Sequence, residues 1–89
     1  MTETDVVART MGELLSAPPL EPADDFFIRG GDSLRAVELI ARLSAAFPAP
    51  DGTPDENLGA ALLLVLFEDA TPQALGDAVT RHRAALAAG

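Results

Sequence analysis

The sequence of 89 residues contains no cysteine and no lysine, and its longest uninterrupted apolar run is short. Without cysteine, disulfide bonds and cysteine-based zinc sites are excluded. The apolar run, Ala60 to Phe67, is much shorter than the ~20 residues that a membrane-spanning helix needs. A signal peptide begins with basic residues, whereas this chain begins with Glu3 and Asp5 among its first residues. We therefore expect a cytoplasmic protein with no membrane partner.

Positive charge is scarce, because 14 acidic residues face 6 basic ones, and the net charge is −8. Such a chain repels nucleic acids, which excludes them as partners. Two interpretations of the acidity remain open: it attracts proteins with basic surfaces, or it only maintains solubility. The length allows a single domain, 1–89, which is too small to enclose a deep catalytic pocket beside its core. We expect a monomer that binds or carries, rather than an enzyme.

The first half of the chain predicts two helices joined by a long structured loop. Apolar residues from Val7 to Leu15 recur at helical spacing, Thr4 is the expected N-cap, and the prolines at 18–19 end this helix. The loop, 17–31, contains two adjacent phenylalanines, which we expect to pack on the core. The second helix is expected to begin at residue 32 or 33 and to end near Phe47.

The second half predicts two more helices. Thr53, Pro54 and Glu56 form a capping-box pattern, so the third helix should run from about residue 54 towards Glu68. Thr71 followed by a proline predicts the start of the last helix. No segment shows the alternation of a strand. The expected fold is all-α, a four-helix bundle.

Ser33 lies at the expected start of the second helix, just after Gly30, Gly31 and Asp32. Free N–H groups and the positive end of the helix dipole favour a phosphate at such a position. A phosphodiester on the Ser33 hydroxyl would be exposed and electrostatically favoured. The alternative is that Asp32 or Ser33 is only an N-cap, a role in which both residue types are common.

The stretch 24–39 resembles the attachment motif of peptidyl carrier proteins. The similar features are Asp25, two aromatic residues, a short gap and Gly-Gly-Asp-Ser-Leu at 30–34. A second stretch, 66–75, is similar to the family's junction into its last helix. The resemblance implies a bundle of the acyl-carrier type in which Ser33 accepts 4′-phosphopantetheine from coenzyme A and carries cargo as a thioester. Asp32 would then cap the helix and present the serine, and Gly31 would let the modifying enzyme approach.

The resemblance also implies the partners. They are a phosphopantetheinyl transferase, an adenylation enzyme, and condensation, tailoring or thioesterase enzymes of nonribosomal peptide synthesis, a route typical of antibiotics. The double glycine resembles peptidyl carriers more than fatty-acid carriers, whose second helix is very acidic. Here that helix carries Arg35 and Arg42, so we expect an apolar partner-binding surface formed by Leu34, Ala36 and Val37. The chain is expected to be free-standing rather than part of a larger synthase. An acyl carrier of polyketide synthesis is the alternative.

Two features depart from the family pattern. Arg29 occupies a position that is usually apolar, and we expect it to be solvated or paired with Asp24 or Asp25. The segment between Phe47 and Phe67 is longer than usual, which predicts a lengthened third helix with a leucine-rich insertion at 54–67. That insertion either enlarges the core or forms a docking face for a partner or a second copy.

Two other functions, an esterase and an unmodified adaptor, are alternatives to the carrier. The letters Gly-Asp-Ser-Leu also occur in a family of esterases, which need a histidine to activate the serine. The sole histidine, His82, has Val79 three residues before it where that family has aspartate, and we expect it half-exposed on the last helix. One histidine also makes a poor metal site, and pairs such as Asp55 and Glu56 are expected to be solvated capping residues. The other rival is an acidic helical adaptor that is never modified.

Overall fold

A computed structural model describes residues 1–88 and contains four α-helices, as the sequence predicts. They are α1 (Glu3–Leu14), α2 (Ser33–Ala46), α3 (Glu56–Glu68) and α4 (Pro72–Ala88). No strand occurs among the described residues. Helix α4 packs on α1 and α3, and α2 also packs on both of these helices. No helix of the described part is long and apolar enough to cross a membrane.

Local hydrogen bonds set the start of α1, and they correct the expected cap. Thr2, not Thr4, is the N-cap: its hydroxyl oxygen accepts the Asp5 N–H at 3.1 Å. The Asp5 carboxylate accepts the Thr2 N–H in return, which completes a capping box. These bonds hold the pKa of Asp5 below its ordinary value, because both backbone and hydroxyl of Thr2 favour the charged carboxylate.

The expected start of α3 is also corrected. Both the N–H and the hydroxyl of Thr53 donate to Asp51, so Thr53 is held in the preceding turn. Asp55 is the N-cap instead, and its Oδ1 accepts the Leu58 N–H at 3.0 Å. The cap at the start of α4 is as predicted, since Thr71 Oγ1 accepts the Ala74 N–H. In each case the side chain of the N-cap accepts the N–H of the residue three positions later.

The core lies between the four helices and takes one apolar side of each, together with part of the first loop. It is formed by fully buried side chains, among them Val7, Met11, Phe26, Leu39, Leu43, Leu58, Leu62, Leu66, Leu75 and Val79. The loop anchor is as expected, because Phe26 is fully buried and Phe27 half-buried with its ring edge-on to Phe26.

Two backbone hydrogen bonds show in which direction α3 runs relative to α2. At its start, the Asp55 N–H donates to the Ser44 carbonyl near the end of α2. Just beyond its end, the Ala70 carbonyl accepts the Phe26 N–H of the loop before α2. Helix α3 therefore runs back along α2, and its last turn lies at the same end of the molecule as Ser33. The long segment after Phe47 is divided between a connection and this helix.

Candidate functional site

Ser33 is the first residue of α2 and is exposed to solvent. Asp32 is the N-cap, and its Oδ1 accepts the Arg35 N–H at 2.9 Å. Among residues 1–88, no acceptor takes the N–H groups of Ser33 or Leu34, and no hydrogen bond engages the Ser33 hydroxyl. The hydroxyl is therefore free to react, and two unpaired N–H groups lie beside it at the positive end of the helix.

The two positions before Asp32 require glycine for different physical reasons. Gly30 has φ 115°, a backbone conformation that side chains disfavour. Gly31 lies on the ring of Phe26, so that a Cβ on this residue would be 2.5 Å from Phe26 Cδ2. The Gly31 N–H also donates to the Phe26 carbonyl at 2.9 Å. The buried ring thus supports the backbone directly in front of Ser33.

The loop between Asp25 and Gly30 is held by its own short bonds. Asp25 Oδ1 accepts the N–H groups of Phe27 and Ile28 at 2.8 and 3.1 Å. The Arg29 N–H donates to the Asp25 carbonyl. The Arg29 residue is exposed, as one of the two expectations had it, and the pairing with Asp24 or Asp25 is absent from the described residues.

Arg35 connects the site to the end of α1. Its Nη1 donates to Asp32 Oδ2 at 2.9 Å, and its Nε donates to the Leu14 carbonyl at 3.2 Å. On the other side of the serine, a Cβ at Gly30 would touch the Leu15 side chain at 4.0 Å. The end of α1 therefore lies close to residues on both sides of Ser33.

Apolar side chains surround Ser33 on the exposed side, but the set differs from the predicted one. Leu34 is 80% exposed and Val37 65%, which suits a partner-binding surface. Ala36 is only 3% exposed and faces the core, so its expected place in that surface is corrected. Neighbouring residues of an α-helix point about 100° apart, so Ala36 faces a different side of the helix from Val37. Ile28, in the loop five residues before Ser33, is 84% exposed and was not part of the predicted surface.

The structure confirms one of the two expectations for the leucine-rich insertion, the enlarged core, while docking of a partner there stays a prediction. Leu58, Leu62 and Leu66 enlarge the core, because they are buried. Leu64 and Phe67 are about 70% exposed, and they lie on the half of α3 nearer to the Ser33 end. The insertion therefore both fills the interior and leaves apolar area on the surface.

His82 and Asp55 form a pair that the sequence interpretation did not predict. His82 Nε2 donates to Asp55 Oδ2 at 2.9 Å, and the Asp55 side chain is buried rather than solvated. The pKa of Asp55 is held below its ordinary value, first by the hydrogen bond from the Leu58 N–H and then by that from His82. The two residues are 27 apart in the chain, so no local pattern points to them.

This pair is remote from Ser33 and does not form a catalytic triad with it. Asp55 lies beside Ser44 near the end of α2, while Ser33 begins that helix. Eleven residues at 1.5 Å each separate the two levels by about 16 Å along the axis. A general base must come within hydrogen-bond reach of the nucleophile. The esterase interpretation therefore has no activating base. No group of three metal-ligating side chains occurs within residues 1–88 either.

An exposed serine at a helix start, framed by glycines and apolar side chains, agrees with a comparison to known families. The model of the phosphopantetheine attachment site family matches residues 5–79, which is most of the chain. The chain belongs to this family. It is a carrier domain, and such domains hold acyl intermediates on covalently attached 4′-phosphopantetheine without catalysing reactions themselves.

A curated protein also resembles part of the carrier. Phenyloxazoline synthase MbtB of Mycolicibacterium paratuberculosis (strain ATCC BAA-968 / K-10) is 42% identical over 45 residues, which cover 51% of this chain. The match covers 4% of the synthase, so the chain corresponds to a small part of that protein's length. No solved structure matches the chain.

Ser33 is the serine whose surroundings fit a covalently attached 4′-phosphopantetheine. Ser33 has a free, exposed hydroxyl beside unpaired N–H groups, whereas Ser44 is buried and its hydroxyl donates to the Ile40 carbonyl. Ser16 is exposed but lies in a turn at φ 53°, where no helix start supports an anion. When bound, 4′-phosphopantetheine supplies a thiol that forms a thioester with the cargo. The residues directly before Ser33 are Gly30, Gly31 and Asp32.

Proposed function

We propose that the chain is a peptidyl carrier whose attachment residue is Ser33. The observation that carries this is the free Ser33 hydroxyl at the start of α2, next to the unpaired N–H groups of Ser33 and Leu34. The family match supports a carrier, and the Gly-Gly-Asp-Ser-Leu sequence supports the peptidyl type. The partial relative is named for a product with a nitrogen-containing ring, which favours aminoacyl or aryl cargo over a polyketide.

The proposed attachment reaction transfers a phosphopantetheinyl group from coenzyme A to the Ser33 hydroxyl. The Ser33 hydroxyl gives its proton to a base of a phosphopantetheinyl transferase, and its oxygen forms a bond to the phosphorus of coenzyme A that bears pantetheine. The bond from that phosphorus to the bridging oxygen breaks, and adenosine 3′,5′-bisphosphate leaves with the electron pair. The new phosphodiester is negative, so the helix start stabilises it by its dipole and N–H groups.

Partner enzymes in this proposal meet the carrier at the exposed apolar residues around Ser33. Ile28, Leu34 and Val37 provide that surface. The partners are the transferase, an adenylation enzyme that loads the thiol, and condensation, tailoring or thioesterase enzymes downstream. The long flexible arm raises the effective concentration of the tethered cargo at each active site. The carrier domain spans residues 1–89 in this account.

Intact-mass measurement tests the assignment of Ser33. After incubation with coenzyme A and a broad-specificity phosphopantetheinyl transferase, the wild-type chain should gain the mass of one phosphopantetheinyl group. Ser33→Ala should gain nothing. Ser16→Gly is the matched control, because it removes another exposed serine without straining the turn at φ 53°. An unmodified wild type would favour the adaptor, and modification of Ser33→Ala would refute the site.

A further inference from the structure

Arg35 occupies a position that its own helix disfavours. It is the third residue of α2, where the helix dipole is positive and a cation is repelled. No acidic residue occupies the first turn of α2 to compensate. The charge of Arg35 is compensated instead by Asp32, the N-cap, and by a carbonyl at the end of α1.

The partners of Arg35 lie on two elements. Both carboxylate oxygens of Asp32 accept from this single residue, Oδ1 from the Arg35 N–H and Oδ2 from Nη1. The Leu14 carbonyl, which accepts from Nε, is one of the last carbonyls of α1 and has no partner within that helix. The last turn of α1 has no basic residue of its own. Arg35 thus places a cation at the negative end of α1, where the dipole favours it.

These contacts bear directly on Ser33, which lies between Asp32 and Arg35 in the chain. An unpaired carboxylate at Asp32 would repel both coenzyme A and the phosphodiester formed on the next residue. The guanidinium neutralises that carboxylate and fixes the first turn of α2 against α1. Both partners are about half-exposed, so the ion pair contributes little to stability. We therefore expect the ion pair to affect the reaction at Ser33 rather than the stability of the fold.

We propose that Arg35 is a positioning residue for attachment: through Asp32 and the Leu14 carbonyl it holds Ser33 in place and neutralises the carboxylate beside it. This inference rests on the proposed function of Ser33. It predicts an effect on the rate of transfer and not on the docking of the transferase, because Arg35 acts within the carrier.

Single-turnover kinetics separate these two effects. The carrier is mixed with an excess of a broad-specificity transferase and coenzyme A, quenched at intervals and weighed by mass spectrometry. For Arg35→Gln, the limiting rate at saturating transferase should fall roughly fivefold, which corresponds to the upper range for an exposed ion pair. The half-saturating transferase concentration should not change. Arg35→Lys keeps the charge without the Nε donor and should fall between wild type and Arg35→Gln.

Arg42→Gln is the matched control. Arg42 lies nine residues after Ser33 on the same helix, has similar exposure, and pairs with Glu38 and with Glu13 of α1. It should transfer at the wild-type rate and melt at the same temperature as Arg35→Gln, within the small shift expected of exposed pairs. Amide hydrogen exchange of residue 35, measured without transferase, should become faster in Arg35→Gln and not in Arg42→Gln.

Three results would overturn the inference while leaving Ser33 as the attachment residue. They are a wild-type limiting rate in Arg35→Gln, an equal loss of rate in Arg42→Gln, or a change confined to the half-saturating concentration. The last result would make Arg35 a contact of the transferase. If the wild-type carrier itself is never modified, the proposed function fails instead, so the two failures are distinguishable.

Discussion

Phe26 is the residue on which the geometry of the site depends most directly. Its ring is fully buried, its N–H is bound to the Ala70 carbonyl, and its ring lies under Gly31. Phe26 therefore connects three parts of the molecule: its ring joins the core to the backbone before Ser33, and its N–H binds the segment just after α3. The sequence already favoured burial of this ring, because adjacent phenylalanines in a loop are costly to expose.

Phe26→Ala should lower the free energy of unfolding by about 3 kcal/mol, because it leaves a cavity beneath the backbone before Ser33. Thermal or denaturant unfolding measures this. Phe67→Ala is the control, since the same truncation at a side chain that is 71% exposed should change stability by only about 0.5 kcal/mol. Equal shifts in the two variants would show that the loop is not anchored by Phe26.

At the scale of elements, the residue that caps α3 is also part of a long-range pair. Asp55 caps α3 with one carboxylate oxygen and accepts from His82 of α4 with the other. Thr53 offered the better local pattern, but Asp51 holds it in a turn. The cap therefore also joins two helices, which a local cap does not.

The lowered pKa of Asp55 makes stability dependent on pH in a known direction. The carboxylate is favoured in the folded state, so its contribution is present above the unfolded pKa of about 4 and is lost as the pH falls through the lower folded value. Asp55→Asn keeps an acceptor for the Leu58 N–H but cannot ionise. Its melting temperature should therefore fall less steeply than that of the wild type between about pH 4 and pH 2.

Asp5→Asn provides a comparison for this titration. The pKa of Asp5 is also held low, but its partner is Thr2 in the same turn, so no second helix is involved. At pH 7, Asp55→Asn should lower the melting temperature more than Asp5→Asn, because it weakens the contact between α3 and α4. Parallel pH profiles for Asp55→Asn and the wild type would contradict the role of the Asp55 carboxylate.

At the scale of the whole molecule, exposed apolar side chains gather at one end while the net charge is −8. The end with Ser33 carries Ile28, Leu34 and Val37, and the last half of α3 adds Leu64 and Phe67. Burying such side chains against a partner is favourable. Asp55 and His82 pair at the opposite end, while Met1 and Leu86 are exposed apolar side chains away from Ser33.

Val37→Asp and Leu34→Asp should leave the fold intact, because both side chains are largely exposed, but should weaken transfer by raising the half-saturating concentration of the transferase. An increase of roughly tenfold corresponds to the loss of about 1.4 kcal/mol of apolar contact. Ala41→Asp, at an exposed position further along α2, is the control and should behave as wild type. Unchanged kinetics in both Val37→Asp and Leu34→Asp would remove this surface from the account.

The sequence by itself determined the four helices, the buried loop and the position of Ser33 at the start of α2. These follow from interactions within about four residues, such as Asp32 with Arg35 and Thr71 with Ala74, and from periodic apolar residues. Even the cap of α1 was readable, since Thr2 and Asp5 stand at capping-box spacing.

The tertiary structure decided which helix faces are covered and which remote groups meet. Ala36 is buried although its neighbours in the motif are exposed, because α2 turns that side towards the core. The contacts of Arg35 with Leu14 and of His82 with Asp55 join residues 21 and 27 positions apart. Such pairs depend on how whole helices pack against each other, and no local spacing in the chain encodes that arrangement.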